Sequence, residues 1–342
     1  MSGDIVSGIE KLLRRKKSNK SKEQLAQKEM NNLPIKSFDE FIQGNYMGVV
    51  PKSFVRCQGY YLMDMFHEIR NHPDTNYVTC MDDMIKDPDT TEDLFSRASV
   101  SCILKEFSGK DDADSASNEL IGSRLADLFG VKTDYVAPIR HNPNKVLAVD
   151  FLSGDEQMET LRDMIKKVVP FYKFKDNSAP IVESLTEMTK ALEVKIPDSA
   201  HKAQQIHKIQ IDFIRMYMFK KYIIGDRDIA TLNVGFIHTG DYSDLRLAPS
   251  FDYEAALDNI HTITGIEEDM MYLCREYPEH MKVIIKDFSL NGKRDAIHSI
   301  INKFSPEHRA VNSINIVENM LLNIHGYYNR YKDIHNPESQ SM

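Results

Sequence analysis

The residues best suited to chemistry are three oxygen-bearing side chains in the second half of the chain: Asp228, Asn233 and Asp252. Asp228 and Asn233 lie five residues apart, and Asp252 follows the next predicted hairpin. Carboxylate and amide oxygens are the protein ligands that Mg²⁺ prefers, and Mg²⁺ usually binds substrate phosphates as well. Phosphoryl transfer needs such ligands, a carboxylate that orients the attacking hydroxyl, and a lysine on the nucleotide phosphates. The spacing therefore indicates a phosphoryl-transfer site.

The elements around these three residues are predicted from hydrophobic periodicity. Apolar residues recur at helical spacing through Ile206–Ile224, and Gly225 marks the end of that helix. Two short strands, Asn233–His238 and Leu245–Ala248, flank a polar turn and predict a hairpin. Such a hairpin would carry Asp252 back towards the loop that follows the helix.

A lysine and a glutamate upstream lie on two further predicted elements. Alternating residues in Val100–Lys105 predict a strand whose end projects Lys105. A polar loop follows, and then a helix capped by a serine, with Glu119 in its first turn and Gly130 at its C′ position. A further strand is predicted at Lys145–Phe151.

The order and spacing of these residues resemble the HipA-like kinases, including the cell-translocating kinase branch, within the wider protein-kinase-like fold. In that family a helix runs into Gly-x-x-Asp-x-His-x-x-Asn, followed by a strand and then Leu-x-Pro-x-Tyr/Phe-Asp. The residues that match these two blocks are Gly225, Asp228, Asn233, Gly235, Phe236, Leu247, Pro249, Phe251 and Asp252. Ile103–Lys105 resembles the family's nucleotide-lysine strand, and the segment that begins at Asn118-Glu119 resembles its glutamate-bearing helix. The resemblance covers roughly residues 95–332.

The resemblance implies roles for the residues of the metal and transfer site. Asp228 would be the catalytic base or the residue that orients the attacking hydroxyl. Asn233 and Asp252 would hold Mg²⁺.

The resemblance also implies an ATP-binding set. Lys105 would contact the α- and β-phosphates, and Glu119 would pair with Lys105. The segment Val146–Phe151 falls where the family has its interlobe hinge, so Val149 and Asp150 would contact the nucleotide.

Departures from the family pattern leave alternatives open. Ala230 stands where the family has His, and Leu232 stands where a Lys often precedes the Asn. Gly225-Asp226-Arg227 also resembles the Gly-Asp-Arg-His of phosphoinositide kinases, although the Asn of that pattern would fall at a Thr. The phosphate-binding loop lies either at Ser53–Gly59 or at the serine-rich Phe95–Ser101, and the sequence does not choose between them.

The fold class implied is α+β: a two-lobed protein-kinase-like fold. Residues 36–152 would form the smaller, mixed β/α N-lobe with the nucleotide lysine and the glutamate helix. Residues 153–335 would form a larger, mainly helical C-lobe with the embedded hairpin, in which Asp295–Phe304 and Pro306–Tyr331 predict helices.

Charge separates the N-terminal segment from the rest. Residues 1–35 carry eight basic and four acidic side chains, which leaves −12 for the remainder of a chain whose total is −8. A solvated, partly disordered basic tail is the favoured interpretation. The run Arg14–Lys22 is also typical of segments that contact an anionic membrane or nucleic acid, and this alternative stays open.

Composition narrows the classes of protein. The 342 residues are 42% hydrophobic and 27% charged, which is typical of a globular protein. The acidic total argues against nucleic-acid binding by the whole chain, which requires a basic surface. No hydrophobic run predicts a transmembrane segment and no signal peptide is recognised. The four separated cysteines are typical of reduced thiols, so a cytoplasmic protein is expected.

The predicted function is an ATP- and Mg²⁺-dependent kinase that phosphorylates Ser or Thr of a protein, itself included. Two alternatives remain: a pseudokinase that binds nucleotide and serves as an interaction module, and a phosphoinositide kinase whose basic tail binds a membrane. The family includes kinases with an antitoxin partner and kinases delivered into host cells to act on host proteins, and no residue here selects either role.

Overall fold

The computed structural model describes part of the chain: residues 36–37, 52–58, 99–107, 112–139, 142–149, 152, 156–168, 180–226, 233–257 and 265–333. Several predicted features lie outside these residues: the tail 1–35, Asp150, Arg227, Asp228, Ala230, Leu232, and parts of both candidate phosphate loops.

The protein has a mixed α+β fold. In chain order the strands are β1 (Lys36–Ser37), β2 (Lys52–Gln58), β3 (Ser99–Glu106), β4 (Val136–Ile139), β5 (Asn142–Val149), β6 (Gln157–Thr160), β7 (Gly235–His238) and β8 (Arg246–Leu247). The helices are α1 (Asp112–Leu128), α2 (Leu161–Val168), α3 (Ile181–Lys195), α4 (Lys202–Met218), α5 (Ile266–Glu276), α6 (Pro278–Asp287), α7 (Arg294–Phe304) and α8 (Glu307–Tyr331). Helix α4 runs directly into a π-helix, Phe219–Ile223.

The described residues fall into two compact units. In the first, β1, β2 and β3 form an antiparallel array, and the end of β5 is the neighbour of β3. The predicted strand at residues 100–105 is confirmed as β3, and Lys105 pairs in register with Lys52 of β2. The second unit contains α1, β4, the start of β5 and the described residues from Glu156 onwards. The predicted lobe boundaries at residues 36, 153 and 335 stay a prediction.

The predicted hairpin is confirmed as β7 and β8, in which Phe236 pairs with Leu247. A third strand, β6, pairs antiparallel with β7 and was not predicted from the sequence. Close packing explains Gly235 at the start of β7, because a Cβ atom there would lie 2.5 Å from the sulfur of Met158. A side chain at residue 235 would require the Met158 side chain to move.

Helix α1 starts earlier than the sequence predicted. It begins at Asp112, so Glu119 lies well inside the helix, and the prediction that Glu119 belongs to the first turn is wrong. Acidic residues near Asp112 favour the earlier start because they interact favourably with the helix dipole. The predicted end of the helix at Gly130 is confirmed. Gly130 has a left-handed φ of +71°, and its N–H donates to the backbone carbonyl of Asp127 at 3.0 Å.

Helix α1 packs into the core of the second unit at its C-terminal end. The ring of Phe129 lies 6.2 Å from that of Phe219 and 5.9 Å from that of Phe288, measured between centroids. Pairs at these distances stabilise by about 0.5–1.5 kcal/mol beyond the area that they bury. Among the described helices, none is both long and hydrophobic enough to cross a lipid bilayer.

Candidate active site

The loop that carries Asp252 begins at Ser250 and is attached to the segment between α1 and β4. The N–H of Ser250 donates to the carbonyl of Lys132 at 2.8 Å. The carbonyl of Ser250 accepts from the Thr133 hydroxyl at 3.0 Å and from the N–H of Asp134 at 3.2 Å. The start of the loop is therefore held by backbone contacts that do not depend on a ligand.

Tyr253 anchors the same loop through a buried ring. Its hydroxyl lies 2.8 Å from the hydroxyl of Thr133, and burial holds the pKa of Tyr253 well above its usual value. The ring lies directly against Gly122 of α1, where a Cβ atom would be only 2.5 Å from Tyr253 Cβ. Asp252 and Glu254 flank Tyr253 in the chain. The buried ring therefore fixes the position of the backbone from which both carboxylate side chains extend.

Asp252 itself adopts a left-handed backbone conformation, with φ of +63°. This conformation is uncommon for a residue that carries a side chain. The carbonyls of Phe251 and Asp252 each accept a hydrogen bond from Lys220 Nζ at 3.0 Å. Lys220 Nζ also forms an ion pair with Asp226 at 3.0 Å, and both of these side chains are buried. A buried lysine thus joins the end of the α4–π-helix segment to the loop of Asp252.

Three carboxylates converge beside this loop. One ligand oxygen from each of Glu119, Asp252 and Glu254 lies within 4.8 Å of the other two. Glu119 is fully buried and Asp252 is buried. Carboxylates this close repel one another when ionised, and a cation bound between them would reduce that repulsion. Carboxylate oxygens are also the donors that Mg²⁺ prefers, so the chemistry of this set fits that metal.

Helix α1, which supplies Glu119, is attached to the second unit along its length. Asp114 pairs with Arg309 at 3.0 Å, and the Ser117 hydroxyl donates to the carbonyl of Phe304. Asn118 donates through Nδ2 to the carbonyl of Glu254 at 3.0 Å. The position of Glu119 is therefore supported by contacts of the residues that precede it on α1.

The C-terminal end of α1 has its own cationic partner. Lys293 Nζ donates to the carbonyl of Leu128 at 2.8 Å and to that of Asp287 at 2.7 Å. A cation at a helix C-terminus is favourable because it satisfies the last carbonyls and opposes the helix dipole. Together with the contacts above, Lys293 holds α1 at both ends.

The structure brings together two of the predicted site residues, Glu119 and Asp252. Asn233 is half-buried and immediately precedes the buried residue that leads into β7. Lys105, on β3, and Val149, at the end of β5, are buried in the first unit. The pairing of Lys105 with Glu119 and the sharing of a metal by Asn233 and Asp252 stay predictions.

Comparison with known proteins gives a structural match without a sequence match. No protein-family model matches the chain, and no curated protein matches it. The structure is similar to the crystal structure of the proinflammatory kinase CtkA of Helicobacter pylori, with a TM-score of 0.51 and 12% sequence identity. The similarity covers 69% of this chain and 92% of the CtkA chain. The fold is similar to that of a HipA-like kinase.

A second similar structure is the complex of HipA, HipB and operator DNA from the toxin–antitoxin system of Shewanella oneidensis MR-1. Its TM-score is 0.46 at 12% identity, and the similarity covers 91% of this chain and 72% of that chain. The resemblance to HipA-like kinases, which the ordered motifs predicted, is confirmed at the level of the fold by the CtkA comparison.

Sequence reasoning missed Lys220 and Glu254. Lys220 occupies an apolar position of the predicted helix 206–224, and a lysine at such a position signals a buried cation that requires an acidic partner. Glu254 follows Asp252 by two residues, which is a weak signal because acidic pairs are common on loops. Neither signal identifies the contacts with the Asp252 loop or with Glu119, because these join residues that are far apart in the chain.

Proposed function

We propose that this protein is an ATP- and Mg²⁺-dependent kinase that transfers the γ-phosphate to a Ser or Thr hydroxyl of a protein, itself included. The observation that carries the proposal is the convergence of Glu119 and Asp252 within a kinase-like fold. These two residues come from separate blocks of the family pattern, 133 positions apart in the chain. The kinase-like fold and the motif order are independent reasons for the same conclusion.

The metal would be held by Asp252, with Asn233 as the second ligand that the family pattern supplies. Glu119 and Glu254 add carboxylate oxygens within 4.8 Å of Asp252. Bound Mg²⁺ supplies charge neutralisation for the phosphates of the nucleotide. The protein's own contribution is to hold these oxygens in fixed positions. The buried ring of Tyr253 fixes the loop of Asp252, and the contacts of α1 with the rest of the second unit fix Glu119.

Asp228 is the residue proposed to orient the attacking hydroxyl. The alternative alignment would give this role to Asp226, which belongs to the Gly225-Asp226-Arg227 pattern. The carboxylate of Asp226 is buried and forms an ion pair with Lys220 at 3.0 Å. A carboxylate used in this way is not available to a substrate hydroxyl, which supports the assignment to Asp228.

Nucleotide binding is proposed to use Lys105 on the α- and β-phosphates, with Val149 and Asp150 contacting the rest of ATP. The burial of Lys105 at the end of a strand supports this role, because an ordinary surface lysine would be exposed. The finer architecture proposed is a two-lobed kinase, in which residues 36–152 form the smaller lobe and residues 153–335 the larger.

The test is phosphoryl transfer by the purified full-length chain. We expect ³²P from γ-labelled ATP to be incorporated into the protein itself or into a Ser/Thr protein substrate, in the presence of Mg²⁺ and not of EDTA. Asp228→Asn should reduce the rate on the order of 10²–10⁴-fold, because it removes the carboxylate that orients the hydroxyl. Asp198→Asn is the matched control, since the Asp198 side chain is 99% exposed on the surface.

Thermal stability in the presence of Mg-ATP separates catalysis from binding. A wild-type protein that is neither stabilised by Mg-ATP nor able to transfer phosphate would contradict the proposal. Stabilisation without transfer would instead support the nucleotide-binding interaction module. Ala230 and Leu232 are the observation that favours this second candidate, because both replace polar residues that the family places near the transferred phosphate.

A further inference from the structure

Two consecutive lysines of the π-helix, Lys220 and Lys221, belong to different networks. Lys220 contacts the loop of Asp252, whereas Lys221 lies 3.3 Å from the carboxylate of Asp269 on α5. The Lys220 side chain is 1% exposed and that of Lys221 is 11% exposed. The pair offers a comparison between two similar side chains at adjacent positions.

Lys220 uses its ammonium group on three acceptors. They are the carboxylate of Asp226 and the carbonyls of Phe251 and Asp252, each at 3.0 Å. The ion pair with Asp226 accounts for the burial of the charge, since an isolated buried ammonium is costly. It does not account for the other two contacts, which are directed at the backbone of the residue that carries the metal-binding carboxylate.

Those two contacts act on a backbone that is held away from its preferred conformation. The φ of +63° at Asp252 belongs to a sparsely populated region, and the surrounding structure must maintain it. The backbone angles of Asp252 determine the direction of its Cα–Cβ bond and therefore of its carboxylate. A donor that fixes the carbonyls of residues 251 and 252 fixes the peptide planes on both sides of that bond.

We propose that Lys220 is a positioning residue that holds the Asp252 backbone in the conformation that directs its carboxylate at the metal. The inference rests on the proposed function for the identity of the metal. The ammonium group of Lys220 is committed to Asp226 and to the backbone of residues 251 and 252, so it would act on the metal only through that backbone. Its substitution therefore weakens metal binding and leaves nucleotide binding without metal unchanged.

Lys221 provides the matched control. Its Nζ donates to the Tyr217 hydroxyl at 2.7 Å and pairs with Asp269, away from the loop of Asp252. Lys221→Met removes a partly buried ammonium at the neighbouring position, and the Asp269 carboxylate keeps the N–H of Ile181 and the hydroxyl of Tyr222 as donors. A general effect of losing a lysine from the π-helix appears in both variants, whereas a positioning effect appears only at residue 220.

The decisive variant is Lys220→Met combined with Asp226→Asn. Lys220→Met alone leaves the Asp226 carboxylate buried without its cation, which can prevent folding. The double variant removes both charges and keeps similar side-chain volumes, while the carbonyls of Phe251 and Asp252 still lose their donor. Asp226→Asn alone keeps the donor and serves as the second control.

The first measurement is the affinity of the full-length protein for Mn²⁺. Electron paramagnetic resonance detects the binding, and no nucleotide is present. We expect the double variant to bind Mn²⁺ at least tenfold more weakly than wild type, and Lys221→Met to bind within twofold of wild type. Hydrogen exchange of the amides of residues 251–257 should increase in the double variant and not in Lys221→Met. Unchanged Mn²⁺ affinity in a folded double variant would overturn the proposal.

The second measurement separates this inference from the proposed function. In a kinase assay the double variant should require at least tenfold more Mg²⁺ for half-maximal rate, with an unchanged KM for ATP at saturating Mg²⁺. A wild-type protein without kinase activity would contradict the proposed function. The Mn²⁺ comparison would still show whether Lys220 positions the Asp252 carboxylate. An active wild type, with the same Mg²⁺ requirement in all variants, would contradict the proposal for Lys220 and leave the proposed function standing.

Discussion

Gly122 of α1 lies against the ring of Tyr253, so closely that a Cβ atom at residue 122 would be 2.5 Å from both Cβ and Cγ of the tyrosine. This contact joins the helix that carries Glu119 to the loop that carries Asp252. Real Cβ atoms do not approach other atoms so closely, so any side chain at residue 122 must separate the two segments. The distance between the two carboxylates of the site therefore depends on the absence of a side chain at residue 122.

Gly122→Ala should destabilise the protein and weaken metal binding together. We expect a loss of about 1–3 kcal/mol in the free energy of unfolding, which is typical of forcing an extra methyl group into a packed interior. Urea denaturation measures the stability, and Mn²⁺ affinity at low temperature measures the site.

The control for Gly122→Ala is Gly326→Ala in α8, where a Cβ atom would meet nothing within 4 Å. Alanine is favoured over glycine inside a helix by about 0.5–1 kcal/mol, so this control should be neutral or stabilising. Equal effects of the two substitutions would contradict the packing explanation.

Asp269 of α5 should be among the most sensitive positions for stability. Its carboxylate accepts the N–H of Ile181 at 2.9 Å and the hydroxyl of Tyr222, and it pairs with Lys221 at 3.3 Å. Asp269→Ala removes the acceptor of all three donors in a buried site. We expect the free energy of unfolding to fall by about 3–5 kcal/mol. Guanidinium denaturation followed by far-UV circular dichroism measures it.

Asp198→Ala is the comparison for Asp269→Ala, because Asp198 also pairs with a lysine, Lys202 at 2.8 Å, but is 99% exposed. Exposed ion pairs within one helical turn contribute little to stability. No measurable change in the denaturation midpoint is expected for Asp198→Ala. A small effect at Asp269, similar to that at Asp198, would show that the network is not required for folding.

Stability should fall at alkaline pH, in part through Cys274. Burial raises the pKa of this thiol from about 9 to about 11 in the folded protein. Between these values the unfolded chain loses the proton while the folded chain keeps it, so stability is full below pH 9 and is lost as the pH rises towards 11. From pH 9 to pH 10.5 the expected loss in the free energy of unfolding from this group is about 1.5 kcal/mol.

Cys274→Ala tests this assignment through a difference between two pH values. The variant has a lower stability at every pH because it leaves a small cavity, but its stability should fall less steeply between pH 8 and pH 10.5 than that of wild type. Buried tyrosines add to the alkaline loss in both proteins, since burial also raises the pKa of Tyr277 to about 12. An identical pH slope in the two proteins would contradict the role of Cys274.

Local features were predictable from the sequence because their signals are local. The end of α1 at Gly130 follows from a glycine at the C′ position, and the hairpin of β7 and β8 follows from two alternating runs around a polar turn. The start of α1 was placed too late, because several polar residues near its N-terminus were compatible with either a loop or a helix. Helix starts are poorly defined when more than one residue can act as the cap.

Contacts between distant segments were not predictable. Strand β6 pairs with β7, with Met158 against Gly235, and two adjacent lysines of the π-helix belong to different networks. The order of Lys105, Glu119, Asp228, Asn233 and Asp252 resembles the pattern of the HipA-like kinases, and that resemblance implied the kinase-like fold. That Glu254 joins Glu119 and Asp252, and that Asp226 is buried against Lys220, only the tertiary structure decided. Glu119 meets Asp252 and Glu254 through packing between remote parts of the chain, and no one stretch of residues encodes that contact.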